Sequence, residues 1–377
     1  MNTRALLGVA DVGDEELDTM VASLLGEERV EILDLAVSVV DYDLPSITTA
    51  GRYWVSGHAA TANGPKPFRI FVKHVQCWSR SPLFASVPPE IREMAAAGVP
   101  WRTEPLVYRS ELAERLPTGL SMPTVLGVYD LDELSASMWL AEVPATDWPW
   151  DVDRYRRAAY LLGRLAGSPT VAPLADLGAH AWTVRDYLEG RFRHQVVPML
   201  DDDRLWSHPL LAHSFGPELR HRMRNAAVQA PRWVAELDGA PLVTGHGDAC
   251  PNNLMGAPHR DNFVLIDFGF WKPLPLGFDL GQLVLGEVQL GRRPAATLAE
   301  TDAAVVPEYV QGLAAEGMVV DPALVNRLHA LQMLIFSGLS SMPFEHLQSP
   351  PSPQMERLAS DRATLATYCL DLVESTG

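Results

Sequence analysis

Three oxygen-bearing side chains gather the chemistry of this chain into one short stretch. Residues 243–255 read Val-Thr-Gly-His-Gly-Asp-Ala-Cys-Pro-Asn-Asn-Leu-Met, and residues 263–269 read Phe-Val-Leu-Ile-Asp-Phe-Gly. Asp248 follows an apolar stretch and precedes a loop tightened by Pro251. A carboxylate there can accept a hydrogen bond from an incoming hydroxyl and act as its base. The amide of Asn253 can give its oxygen to a metal. Asp267 ends the second apolar stretch, and two short strands joined by a turn would return it to the side of Asn253. Magnesium favours hard oxygen ligands and keeps some of its waters, so a carboxylate, an amide oxygen and phosphate oxygens suffice to hold it. The order His-x-Asp-x-x-x-x-Asn, then Asp-Phe-Gly, is the pattern by which phosphoryl transfer positions a nucleophile and neutralises phosphate charge.

Each residue alone has a plainer reading. Asp248 with Asn253 suits an Asx turn, His246 a hydrogen-bonded structural histidine, Lys73 an exposed strand lysine and Glu104 a surface helix position. Cys250 lies inside the loop, but nothing nearby in sequence lowers a thiol pKa, so it is not read as a nucleophile. Asp201–Asp203 and Arg220–Arg224 read as solvated faces or a helix cap. An acidic recess built from Asp201, Asp202 or Glu345 is a minor alternative.

The elements that must hold these residues divide the chain unevenly. A short helix over 12–27 starts with Asp14-Glu15-Glu16, which suits a helix N-terminus. Residues 30–40, 53–56 and 68–75 read as strands, with a turn over 44–51 and a hairpin loop over 60–67. A helix over 100–116, interrupted by Pro105, precedes a further strand pair over 124–129 and 137–143. After the linker 144–149 the chain turns helical. Asp151 or Asp153 can cap a helix with Tyr155, Ala159, Leu162 and Leu165 on one face. Further helices are expected at 183–200, 217–237, 303–316, 321–340 and 354–374, the last after a rigid linker over 349–353. Strands first and helices later is an α+β order rather than alternating βαβ.

The His246-Gly247-Asp248 stretch, with Pro251 and Asn253, resembles the catalytic loop of the aminoglycoside phosphotransferase and choline kinase family, the small-molecule branch of the protein-kinase-like fold. Asp267-Phe268-Gly269 resembles its metal-binding segment, and Gly277-Phe-Asp-Leu280 its buried aspartate region. The resemblance runs over residues 30–340. It implies a bilobal fold, with an N-terminal lobe over 1–142 that carries an antiparallel sheet and a C-terminal, mainly helical lobe over 143–377. It implies Asp248 as catalytic base, Asn253 and Asp267 as magnesium ligands, and His246 and Asp279 as structural supports. Phe71-Val72-Lys73 resembles the strand lysine that binds the α- and β-phosphates, Glu104 the glutamate paired with it, and Leu140–Val143 the hinge where backbone groups, here of Ala141 and Val143, hold adenine. Trp182, Trp206, Trp233 and Trp271 fall where the family builds its acceptor pocket, although tryptophans are more often core. One departure stands out. The phosphate-covering loop of the family is glycine-rich, whereas residues 46–52 contain only Gly51. Ser46, Thr48 and Thr49 offer hydroxyls and backbone amides instead.

The implied activity is transfer of the γ-phosphoryl group of ATP or GTP to a hydroxyl of a small molecule, first an antibiotic or natural product. Alternatives are a metabolic kinase for choline, a sugar or a similar alcohol, and a nucleotide-binding scaffold without turnover. The short segment between Asp267 and Asp279 leaves little room for a protein-kinase activation loop. The bulk composition agrees. The chain has 377 residues, 47% of them hydrophobic and 20% charged, enough for two lobes with a large core. Its net charge of −17 argues against a nucleic-acid surface or anionic lipid and tolerates an amine substrate. Three scattered cysteines argue against a disulfide framework. With no signal-like start and no membrane-length apolar run, a soluble cytoplasmic protein is expected, its oligomeric state open.

Overall fold

The computed structural model describes residues 3–42, 46–178, 182–348, 350 and 352–377. Five antiparallel strands form the first sheet in the order β1-β2-β3-β6-β5: β1 (Glu31–Val39), β2 (Thr49–Thr61), β3 (Gly64–Gln76), β5 (Val125–Asp132) and β6 (Ser135–Ala141). Its two faces follow from the period of two. Val55, Ile70, Val72 and Trp139 point one way and pack with Leu17, Met20 and Val21 of the Asp14–Leu25 helix. Phe71, Lys73, Val75, Met138 and Leu140 point the other way, toward the rest of the molecule.

The β2–β3 hairpin is tighter than expected. Strand pairing continues to Thr61↔Gly64, so residues 60–67 are mostly strand rather than loop. Pro65 and Pro67 are tolerated because β6 pairs with β3 only from Ile70 onward, which leaves the proline end an edge. Of the expected turn over 44–51, residues 44 and 45 lie outside the described residues.

Residues 100–116 form two short helices, Thr103–Arg109 and Leu112–Arg115. Pro105 falls in the first turn of the former, where its missing N–H costs nothing. Beyond β6, residues 142–151 are without helix or strand until Asp151 caps the Val152–Gly167 helix by accepting from the Arg154 backbone N–H at 2.9 Å. That helix packs closely against Leu298–Ala315, which begins earlier than the expected 303. A Cβ on Gly163 would lie 2.1 Å from the Tyr309 carbonyl oxygen, and one on Gly312 would lie 2.1 Å from that of Tyr160. The two backbones touch because both sides are glycine.

The helices Pro217–Asp238, Phe278–Gln289, Pro322–Met333 and Pro353–Ser375 complete the large core. The expected helix over 183–200 starts with a capping box between Thr183 and Asp186 but widens to a π-helix over Leu188–Val196, and another π segment, Leu334–Gly338, ends the expected 321–340 helix. In the expected linker 349–353, residues 349 and 351 lie outside the described residues; Ser352 caps the final helix. Two small sheets hold the central segment. β7 (Leu242–Gly245) pairs with β10 (Lys272–Pro275). β9 (Phe263–Leu265) lies between β8 (Leu254–Gly256), antiparallel, and β4 (Leu120–Ser121), parallel. The whole is a bilobal α+β fold of the protein-kinase-like type. Among the described residues no helix is long and apolar enough to cross a membrane.

Candidate active site

β7 ends at Gly245 and delivers His246, Gly247 and Asp248 to the edge of the large core. Three interactions fix this loop. The buried Asp279, near the start of the Phe278–Gln289 helix, accepts from the backbone N–H groups of His246 and Gly247, both at 2.8 Å. Burial pushes its carboxyl pKa up, against the pull of His246 and those two donors. The imidazole of His246 accepts from the Asp248 N–H at Nδ1 (3.3 Å) and meets the Ile266 carbonyl at Nε2 (2.9 Å). A backbone N–H only donates and a carbonyl only accepts, so the proton sits on Nε2. Gly247 has φ of 82°, and a Cβ there would lie 2.3 Å from the Phe270 carbonyl oxygen. Glycine between His246 and Asp248 is therefore a steric requirement.

Asn253 donates through Nδ2 to the Asp248 carbonyl (2.8 Å) and to its Oδ2 (2.9 Å). Burial, with Asp267 adding to it, pushes the Asp248 carboxyl upward, while His246 and the Asn253 donor resist. The antiparallel β8–β9 pair carries the chain back, and the Ile266 N–H donates to the Asn253 carbonyl at 3.1 Å. The expected return of Asp267 toward Asn253 is thus built by two three-residue strands. Asp267 adopts φ 61°, ψ 62°, the one non-glycine residue with positive φ among those described. That conformation costs about 1 kcal/mol.

Lys73, buried in β3, reaches across the cleft. Its Nζ lies 2.6 Å from Glu104 Oε2 and 2.9 Å from Asp267 Oδ1. Burial acts to lower the Lys73 pKa, but the two carboxylates more than offset it and the ammonium is held charged. Burial likewise acts to raise Asp267, and Lys73, with Arg52 and His246 behind it, brings its carboxyl below the ordinary value. Glu104 behaves differently, because burial outweighs Lys73 and lifts it to about 7. Its helix is anchored to the Asp267-Phe-Gly segment by an edge-on contact of Tyr108 with Phe268, centroids 5.5 Å apart.

The remaining expected residues fall into place less uniformly. Thr48 gives its carbonyl to the Gln76 N–H at 2.8 Å, and the Thr49 N–H donates to Ser46 Oγ at 3.3 Å. At the hinge, the Ala141 N–H is spent on the Thr124 carbonyl (2.9 Å) and the Val143 carbonyl accepts from Ala145 (2.7 Å). The Ala141 donor is therefore closed to a ligand, since the ladder runs to the last residue of β6 and reaches Thr124, just ahead of β5. Burial, then the Asp248 charge, pushes the Cys250 thiol up to about 12, which makes it inert as a nucleophile. Trp206 and Trp271 are fully buried core residues whose indole N–H groups donate to the Leu200 and Leu174 carbonyls. Asp202 caps the Asp203–Trp206 turn, and Glu345 is neutralised by Arg362 at 2.6 Å. Neither of these two leaves an acidic recess.

Two residues of the cleft escaped the sequence reading. Arg52 stands directly opposite Lys73 in the β2–β3 register, and its guanidinium lies over the Tyr42 ring, 4.2 Å from the centroid. No local signal marks either residue, because the β2–β3 register alone brings Arg52 beside Lys73.

A sequence profile of the phosphotransferase enzyme family matches residues 87–314, more than half of the chain. The chain belongs to that family. Its members' chemistry, phosphoryl transfer to a hydroxyl of a small molecule, is the chemistry of this enzyme. No curated protein matches the sequence. Among solved structures, the chain is similar to an aminoglycoside phosphotransferase from Alicyclobacillus acidocaldarius, with TM-score 0.52 and 12% identity over 92% of this chain and 91% of that one. It is also similar to an ethanolamine kinase from Plasmodium vivax, with TM-score 0.51 and 12% identity over 92% and 85% of the two chains. Both likenesses are of fold.

Proposed function

We propose that this phosphotransferase moves the γ-phosphoryl group of ATP or GTP to a hydroxyl of an antibiotic or other natural product, in a cleft between lobes comprising residues 1–142 and 143–377. One observation carries the reading: Lys73 of the sheet binds both Glu104 and Asp267, the latter 194 residues away in sequence, beside an Asp248 held by Asn253. A scaffold without turnover has no need of that whole set. Three scattered free cysteines suit a reducing, cytoplasmic setting.

In this mechanism Asp248 orients the acceptor hydroxyl. Its Oδ2 is held by Asn253, so Oδ1 is the atom that receives the hydroxyl proton as the oxygen attacks. The raised basicity that burial gives this carboxylate favours that role. Lys73, steadied by Glu104, grips the α- and β-phosphates. Asn253 and Asp267 fit magnesium: the amide nitrogen is committed to Asp248, which turns the amide oxygen away from it, and the Asp267 carboxylate is ionised. When bound, the ion offsets charge on the phosphates. Positioning and electrostatics supply most of the rate gain.

A metabolic alcohol such as choline, ethanolamine or a sugar is the second reading, favoured by the likeness to an ethanolamine kinase. Incubating the chain with MgATP and a panel of aminoglycosides, other hydroxylated antibiotics, amino alcohols and sugars, with ADP release as readout, tests both. ADP release with an antibiotic supports the first reading. Release confined to amino alcohols or sugars replaces it with the second, and none with any acceptor leaves the scaffold reading standing.

A further inference from the structure

The cleft face of the sheet carries a second cation that lacks a carboxylate partner. Lys73 is bound by two carboxylates. Arg52, its cross-strand neighbour, has as partners the Tyr42 ring and, at 3.5 Å, the Thr49 hydroxyl. No carboxylate of the described residues forms an ion pair with it. In a chain of net charge −17, a half-buried guanidinium that makes no ion pair of its own, though it feels the charges of Asp267 and Glu104 across the cleft, is a place prepared for an anion.

The position selects which anion. Directly opposed residues on antiparallel strands have Cβ atoms about 5 Å apart, so Arg52 and Lys73 present their charges side by side to one elongated ligand. The Tyr42 ring lies against the Arg52 guanidinium. Burial raises its phenol pKa and Arg52 lowers it, and the charges of Asp267 and Asp248 act on it too. Arg52 therefore stands beside the cation that already meets Asp267, the proposed metal ligand, on the same face of the sheet. A guanidinium lying over a ring still has N–H groups to offer a phosphate, which arginine can bind as a fork.

We propose that Arg52, positioned by Tyr42, is a second phosphate-binding cation that grips the terminal phosphates of the nucleotide, the task left to residues 46–52 in the absence of a glycine-rich loop. This rests on the reading of the cleft as a nucleoside triphosphate site. Lys73 then serves the inner phosphates and Arg52 the outer ones.

The test is calorimetric titration of the full chain with magnesium and AMP-PNP, with magnesium and ADP, and with AMP. Arg52→Gln is expected to weaken AMP-PNP binding about tenfold to hundredfold, the factor for losing one charged hydrogen-bonded contact. It should weaken ADP less and leave AMP unchanged. Arg52→Lys, a point charge without the fork, falls between. Tyr42→Phe, which keeps the ring, stays closer to wild type than Tyr42→Ala, which shifts the affinities in the same order as Arg52→Gln, AMP-PNP most, ADP less and AMP unchanged. Equal weakening of all three ligands by Arg52→Gln would mark a merely structural residue and overturn the inference, as would unchanged AMP-PNP affinity. If the unaltered chain binds none of the three, the nucleotide reading itself fails and this inference falls with it.

Discussion

Removing the Asp279 carboxylate should disable the catalytic loop without touching a proposed reacting group. The side chain is buried and accepts two backbone N–H donors at 2.8 Å, from His246 and Gly247. A buried donor left without a partner costs about 1–3 kcal/mol, so Asp279→Ala, which orphans two, is expected to lose about 2–6 kcal/mol. That is a large part of the ~5–15 kcal/mol by which folded proteins are stable. Asp279→Asn keeps one accepting oxygen and turns an NH₂ toward the second donor, so about half that loss is expected. Urea unfolding, extrapolated to water, gives both values. Because Asp248 directly follows the tethered pair, a displacement of about 1 Å there lowers kcat on the order of 100-fold. Lys73 and the sheet are anchored elsewhere, so nucleotide affinity should stay near wild type in the asparagine variant. A change below about 0.5 kcal/mol for Asp279→Ala, together with unaltered turnover, would refute the claim that this carboxylate holds the loop.

Asp248→Ala should abolish phosphoryl transfer and spare nucleotide binding; near-normal ADP release with the best acceptor would contradict its role as base. Asp267→Ala should remove most of the magnesium dependence of nucleotide affinity, and calorimetry with and without the metal checks this. Glu104 gives a pH signature. Its folded value of about 7 lies above the ordinary 4.5, so between those limits the folded chain keeps a proton that the unfolded chain has lost. Its contribution to stability is present below pH 4.5 and lost as pH rises through 7. Unfolding free energies from pH 5 to 8 should fall less steeply in Glu104→Gln; equal slopes would remove the assignment.

The candidate catalytic segment was legible because its residues are close in sequence and of types that suit phosphoryl transfer: carboxylate, amide, glycine at a positive φ, then a carboxylate after a strand. Lys73 and Glu104 were legible only through the resemblance, since nothing local distinguishes a buried strand lysine from an exposed one. Arg52 and Tyr42 were not legible because their meaning lies in the strand register and in a ring–guanidinium contact ten residues apart in sequence. At the hinge, one more ladder bond to Thr124 takes the Ala141 N–H, a detail of pairing that the sequence does not display. The length of the β2–β3 hairpin was misread because prolines argue against central strands, and this strand end is central in order but unpaired on one side. The π-helical turns over 188–196 and 334–338 keep an amphipathic pattern while changing its pitch, so periodicity marks a helix without revealing its kind.

The helix that covers the outer face of the sheet has a consequence for biosynthesis. Leu17, Met20 and Val21 find their partners on strands as far along the chain as β6, which supplies Trp139. During translation this stripe leaves the ribosome more than a hundred residues before the surface that shelters it is complete. Domains fold as units, and exposed apolar stretches in waiting chains are prone to aggregate. The acidic turn Asp14-Glu15-Glu16 at the front of that stripe supplies like-charge repulsion between nascent chains over the interval.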